Sequence, residues 1–198
     1  MLNQRQIDRM LTKLERFEHT LERCYFEKVG ELDMRDYPAD GSHHAIPEDS
    51  LFRPVEKGWQ WGGEGSYCWF KGEFTIPDAL AGQDLFLRPH CVGYEALLWV
   101  NGVPFGTFCN KILINDHGNH YCNLILKEAE AGERVSVALE SYAGHYVMGT
   151  APFEQQERPS YQYTYRGAEV CVKNEEIIGF ALDLHTVLQL ARALPEPS

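Results

Sequence analysis

The sequence has 198 residues and a formal net charge of -11, with 24% charged and 44% hydrophobic residues. A chain of this length can bury one sizeable core without disulfides or metals. The acidic balance argues against nucleic acid and anionic membrane as partners. No stretch is long and apolar enough to span a bilayer.

The first segment has the spacing of an amphipathic helix. Asn3 with Gln6 three residues later predicts a capping box, and Gly30 predicts the end of the helix. Charges run through the whole segment, so it lacks the apolar centre of a signal peptide, and we expect a cytoplasmic protein. The apolar stripe must cover this domain, another domain or a second subunit. Its residues are Ile7, Met10, Leu11, Leu14, Phe17, Leu21, Cys24 and Tyr25.

Six cysteines are scattered along the chain without any C-x-x-C pair. In a cytoplasmic protein this pattern predicts free, partly buried thiols rather than a disulfide framework or a zinc site. The residues are Cys24, Cys68, Cys91, Cys109, Cys122 and Cys171.

Residues 36–66 are rich in proline and glycine, which predicts a long connection. Trp59 and Trp61 lie within it, so we expect the connection to pack against the domain. From Tyr67 the hydrophobic period changes to two, which predicts strands. Further strands are predicted around Leu85 and Leu87 and at residues 95–100, 103–108, 120–126, 135–141 and 168–172. Asn101-Gly102 predicts a hairpin with a type I′ turn.

Seven or so short strands without βαβ alternation predict a mainly β fold, an antiparallel jelly roll or β-sandwich. Residues 142–167 interrupt the pattern, and Asp183 predicts the N-cap of a short C-terminal helix. We therefore expect an N-terminal helix with its connector (1–36), the sandwich (37–180), and a helix with the start of a linker (181–198).

Three stretches together resemble a known family: PVEKGWQWGGEGSYCWFKGEFTIP (54–77), LLWVNGVPFGTF (97–108) and ALESYAGHYVMGTAP (138–152). Their order is similar to the N-terminal region of family 38 α-mannosidases, where a jelly-roll, galactose-binding-like domain precedes the catalytic barrel. FALDLHTVLQLARAL (180–194) resembles the helical connection into that barrel. The WVNG hairpin alone is less specific, because accessory domains of family 2 glycosidases share it.

The resemblance implies a zinc-dependent retaining enzyme that cleaves α-mannosides, with its zinc ligands and nucleophile in the catalytic domain. The H-x-D strand segment and W-L-W landmark of that domain do not occur in this sequence. No catalytic residue, metal ligand or cofactor is therefore assigned to this chain.

Three other patterns concern metal, catalytic and sugar-binding sites. Residues 115–120, rich in Asn, Asp, Gly and His, have the composition of a turn more than of a metal site. Glu64, Glu73, Glu95 and Glu140 are expected mostly on a solvated face. The aromatic residues Trp59, Trp61 and Trp69 are candidates for stacking on a sugar, although large aromatic side chains more often pack in a core or an interface.

The resemblance, together with the absence of a catalytic set in the sequence, implies a non-catalytic accessory domain whose expected partners are its own catalytic domain and further copies of the chain. The alternatives are a carbohydrate-binding module and a stand-alone protein that dimerises through residues 4–25. Contact with another domain is expected from Tyr161, Tyr163, Tyr165, Leu14, Phe17 and Leu21.

Overall fold

A computed structural model describes residues 3–109, 122–146 and 160–194. The described chain falls into two compact units, one of Met1–Glu27 with Val172–Ser198 and one of Lys28–Cys171. Its helices are α1 (Gln4–Leu21) and α2 (Glu175–Ala193). Its strands are β1 (Phe26–Glu31), β2 (Asp33–Ala39), β3 (Arg53–Pro54), β4 (Gln60–Gly62), β5 (Tyr67–Thr75), β6 (Leu85–Pro89), β7 (Glu95–Val100), β8 (Val103–Cys109), β9 (Asn123–Leu126), β10 (Arg134–Tyr142), β11 (Gln162–Thr164) and β12 (Ala168–Lys173).

The start of α1 confirms the predicted capping box. The Asn3 side chain accepts a hydrogen bond from the Gln6 backbone N–H, and the Gln6 side chain accepts one from the Asn3 N–H. The predicted end at Gly30 is wrong, because α1 ends at Leu21 and Gly30 lies in β1. Gly30 serves close packing instead, since a Cβ there would lie 2.6 Å from the Phe74 ring.

The C-terminal helix begins earlier than predicted. Asn174, not Asp183, is the N-cap of α2, and its side chain accepts a hydrogen bond from the Ile177 backbone N–H at 3.1 Å. Glu175 and Glu176 follow in the first turn, where the positive end of the helix dipole favours acidic groups. The boundaries predicted from the sequence at 36/37 and 180/181 stay predictions.

The largest sheet has six strands in the order β3-β2-β5-β10-β7-β8. Every pair in it is antiparallel, with Tyr142 of β10 opposite Tyr67 of β5 and Glu95 of β7. The predicted connection at 36–66 is only partly irregular, because it contains the end of β2 together with β3 and β4. The proline and glycine residues of this segment lie at and between these short strands.

A four-stranded sheet has the order β1-β12-β6-β9, and β4 pairs with β11 in a small third sheet. Completely buried side chains come from both larger sheets, including Leu85 and Leu87 of β6 and Phe70, Leu98 and Leu139 of the six-stranded sheet. This is the pattern of an antiparallel sandwich with a shared core, and it confirms the predicted fold class. The prediction at 120–126 is confirmed from Asn123 onward, while residues 120 and 121 lie outside the described residues.

The predicted Asn-Gly turn joins β7 to β8. Asn101 and Gly102 have φ values of 50° and 81°, as both central residues of a type I′ turn require. Among the described residues, neither helix combines the length and the apolarity needed to cross a membrane.

Candidate functional site

The three tryptophans predicted to stack on sugar lie in different surroundings. Trp69 is completely buried and Trp61 is 5% exposed, so the prediction of surface stacking is wrong for both. Trp61 donates a hydrogen bond to the Cys91 carbonyl at 3.2 Å, and its ring packs against Phe70. Only Trp59 is half-exposed, and it lines an open groove beneath the Arg53 guanidinium, 5.5 Å from its ring.

The alternating tyrosines after residue 160 do not form an exposed contact face. Tyr165 is 3% exposed and stacks on Phe70 with ring centroids 5.6 Å apart, and Tyr161 is 8% exposed. The half-buried Tyr163 donates a hydrogen bond from its hydroxyl to the Ala143 carbonyl at 2.8 Å. Tyr161 and Tyr165 are thus core residues, and their predicted role in contact with another domain is wrong.

The helical unit does present apolar side chains to solvent. Leu14 and Phe17 of α1 are 40% and 46% exposed, while Leu21 is half-buried. Phe17 also packs edge-on against Phe180 of α2. On α2 the exposed apolar residues are Phe180, Leu182, Val187 and Leu190, and Leu194 follows the helix.

A cavity of about 340 Å³ opens on the face of the six-stranded sheet that is opposite Phe70. Two rows of this sheet line it. Tyr67, Tyr142 and Glu95 are register partners in the first row, and Glu140, Leu97 and Thr107 in the second. Ser42, from the segment after β2, also lines the cavity. Four strands, β5, β7, β8 and β10, contribute side chains to this outer cavity.

Glu140 is the most deeply placed acidic group in this outer cavity, with 7% of its surface exposed. Its Oε1 accepts hydrogen bonds from the Ser42 hydroxyl at 3.0 Å and from the His43 backbone N–H at 2.7 Å. No described residue donates to its Oε2. The expectation that Glu140 lies on a solvated face is therefore wrong, because the segment after β2 covers it.

Two stacked tyrosines form another wall of the outer cavity. The rings of Tyr67 and Tyr142 are 4.8 Å apart at 32°. The Tyr142 hydroxyl lies 2.6 Å from His145 Nδ1, within hydrogen-bonding distance. Burial, with the neighbouring Tyr67 and Glu95, raises the pKa of Tyr142 above its ordinary value. The phenol therefore remains neutral and can act as a donor.

A second polar cluster surrounds Glu169 of β12. Arg88 donates to its Oε2 at 2.9 Å, His90 Nε2 lies 3.0 Å from the same oxygen, and Lys28 approaches Oε1 at 3.4 Å. Burial opposes ionisation of Glu169, but the hydrogen bonds from His90 and Arg88 outweigh it and lower the pKa to about 2. The acid is satisfied by this cluster, which therefore stabilises the fold.

We expect Glu169→Gln to lower the free energy of unfolding by about 1–2 kcal/mol near neutral pH, after allowance for solvent screening. Because the pKa of Glu169 is lower in the folded state, its ionised form stabilises the protein at pH values above its ordinary pKa of 4.5. This stabilisation is lost as the pH falls toward about 2. The difference from the parent chain should therefore shrink across that window in urea unfolding measured at successive pH values. The exposed Glu130→Gln serves as the control and should have little effect at any pH. A destabilisation by Glu169→Gln that does not change with pH would show that packing, not charge, is responsible.

The described residues contain no group of three or more His, Cys, Asp or Glu side chains able to hold a metal ion. The loop at 115–120, which was interpreted as a turn, lies outside the described residues. The described part of the chain thus offers no ligand set that fits zinc. All six cysteines are free thiols, as predicted.

Residues 33–171 match the family described as alpha-mannosidase, jelly roll domain. Human alpha-mannosidase 2C1 is 26% identical over 148 residues, which cover 72% of this chain and 13% of that protein. The chain therefore spans about an eighth of that curated relative's length.

Solved structures also resemble this chain. A β-glucuronidase of Faecalibacterium prausnitzii has a TM-score of 0.51 and 14% identity, with 76% of this chain and 32% of that chain covered. A β-glucuronidase of Ruminococcus gnavus has a TM-score of 0.47 and 14% identity, with 76% and 30% covered. At this identity, the first of these likenesses shows the fold alone. The match over residues 33–171, in contrast, covers most of the chain and contains the strands of the six-stranded sheet. The chain belongs to the alpha-mannosidase jelly roll domain family.

Proposed function

We propose that this chain is the non-catalytic N-terminal accessory domain of a family 38 α-mannosidase, in which a separate catalytic domain hydrolyses α-mannosides. Membership of the jelly roll domain family carries this proposal. The small share of the human relative that the chain spans supports it, because most of that protein lies outside the matched region. The parent protein's zinc would be held by its catalytic domain, since the described residues supply no suitable group of ligands.

The 198-residue chain should not hydrolyse an aryl α-mannoside. Glycoside hydrolysis needs two carboxyl groups placed on either side of the scissile bond. In the outer cavity, Glu95 and Glu140 lie in neighbouring rows on one face of the sheet, so both carboxyl groups belong to one wall rather than to the two sides of a bound glycoside. Release of the aryl group measured against a buffer blank tests this expectation. Zinc-dependent turnover by this chain would overturn the proposal.

Contact with the catalytic domain and with further copies of the chain is assigned to the helical unit. Eight of its large apolar side chains are between 40% and 63% exposed, and exposed apolar surface of this extent is typical of interaction sites. Two polar contacts hold the helices to each other: Glu18 with His185 at 2.7 Å and Glu15 with Arg192 at 2.7 Å. The helix pair can therefore present Val187 and Leu190 on a defined surface.

We expect Leu190→Glu in the full-length enzyme to weaken these contacts while leaving the helix intact, because the side chain is 60% exposed. Its neighbour Gln189 is also exposed, so Gln189→Glu adds the same charge beside the apolar surface as a matched control. Sedimentation velocity would report a smaller assembly, and limited proteolysis would report a loosened domain. If Leu190→Glu matches the control in both measurements, the helical unit does not make these contacts.

A cytoplasmic location belongs to the same proposal. Three of the six free thiols, Cys68, Cys91 and Cys171, are buried, and reduced thiols are the ordinary state in a reducing compartment.

A further inference from the structure

The outer cavity differs in its charges from the cluster around Glu169. Glu169 is surrounded by Arg88, His90 and Lys28. In contrast, the described residues that line the outer cavity include Glu95 and Glu140 but no lysine or arginine. Two carboxylates in one cavity disfavour an anionic ligand through like-charge repulsion and desolvation.

The polar groups of the cavity suit a ligand that donates several hydrogen bonds. Ser42 and the His43 backbone fix Glu140 through Oε1, so its orientation is set before any ligand binds. The Glu140 residue as a whole is 7% exposed, and no described residue donates a hydrogen bond to its Oε2. A buried acceptor of this kind gains from a hydroxyl donor, because a hydrogen bond to an ionised group is stronger than one between neutral groups.

The remaining walls suit the apolar side of such a ligand. Tyr67 and Tyr142 provide aromatic surface, and Leu97 lies in the next row of the sheet. Aromatic rings with polar edges favour ligands that combine C–H surface with hydroxyl groups. The volume of about 340 Å³ is at the lower end for small-molecule sites and fits one sugar ring better than a longer oligosaccharide.

We propose that the outer cavity is a binding site for one neutral hexopyranose unit. Glu140 Oε2 and Glu95 accept hydrogen bonds from ring hydroxyl groups, while Tyr67 and Tyr142 contact the C–H face of the ring. The site binds sugar without cleaving it, and it is separate from the helical unit's contact surface. It replaces the buried Trp61 and Trp69 as the location for sugar recognition on this domain.

The test uses the 198-residue chain and calorimetric titration with methyl α-mannoside and methyl β-glucoside, with glucuronic acid as an anionic probe. We expect millimolar binding of at least one neutral glycoside, and binding of glucuronic acid weaker by about tenfold or more because of the two carboxylates. Glu140→Gln should weaken the neutral glycoside by about tenfold, because an amide N–H₂ replaces the acceptor that faces the cavity. Circular dichroism should show that this variant is folded.

Glu73→Gln is the matched control, since Glu73 lies on β5 outside the cavity and pairs with Arg134. It should leave sugar affinity unchanged. A second variant, Trp59→Ala, tests the groove beside Trp59 as the alternative location. The proposal is overturned by absence of binding for both neutral glycosides, by equal affinity in Glu140→Gln and the parent chain, or by a loss of affinity only in Trp59→Ala. Because α-mannosidase activity is not measured, these outcomes are independent of the accessory function proposed above.

Discussion

Trp69→Ala should lower the free energy of unfolding by about 3–5 kcal/mol, the usual range for loss of a large buried aromatic side chain. Trp69 is completely buried and packs with Phe52, Trp99 and Ala138 on the outer face of the six-stranded sheet. Its ring centroid lies 6.0 Å from that of Trp99. Equilibrium unfolding in urea, followed by circular dichroism, measures the change.

Two variants separate packing from other roles of tryptophan. Trp69→Phe should cost less than the alanine change, because it keeps most of the ring and removes an indole N–H that has no hydrogen-bond partner among the described residues. Trp59→Ala should also cost less, since Trp59 is half-exposed. If Trp69→Ala lowered the free energy of unfolding no more than Trp59→Ala, the cluster of Phe52, Trp69, Trp99 and Ala138 would not be a second core.

The behaviour of Trp69 shows what the hydrophobic period can and cannot predict. The period of two correctly located β5 and its neighbours, because alternation is a local property of a strand. Alternate residues such as Cys68 and Phe70 share one face of β5 under this period, and both are buried. The period could not predict that Trp69 on the other face is also covered, because Ile46 and Phe52 lie in a segment without regular spacing.

The outer cavity was missed for a related reason. Its first row brings together Tyr67, Glu95 and Tyr142, which lie on β5, β7 and β10. That row exists only because β10 lies between β5 and β7, and strand order cannot be derived from the pattern within each strand. One local signal was present: Glu140 interrupts the apolar run of β10, and an acidic residue inside a buried strand suggests a function or a specific partner.

Gly62→Ala is expected to destabilise the domain by about 3–5 kcal/mol, from backbone strain and steric overlap together. Gly62 has a φ of 121°, which residues with a side chain rarely adopt. A Cβ there would lie 2.1 Å from the Tyr161 carbonyl oxygen. That oxygen accepts the Gly63 N–H at 2.9 Å, so it cannot move away without loss of the bond that holds β4 beside β11.

Two other glycines make this prediction specific. Gly65 has a φ of 76° with open space around its Cα, so Gly65→Ala isolates the backbone strain and should cost about 1–2 kcal/mol. Gly41 has open space and no positive φ, so Gly41→Ala should be close to neutral. The expected order of stability is therefore Gly41→Ala, Gly65→Ala, Gly62→Ala, from most to least stable in urea unfolding. If Gly62→Ala and Gly65→Ala lowered the free energy of unfolding equally, β4 would be able to move away from the Tyr161 carbonyl at little cost. A larger loss for Gly62→Ala would show that this backbone contact fixes the strand which carries Trp61 into the core.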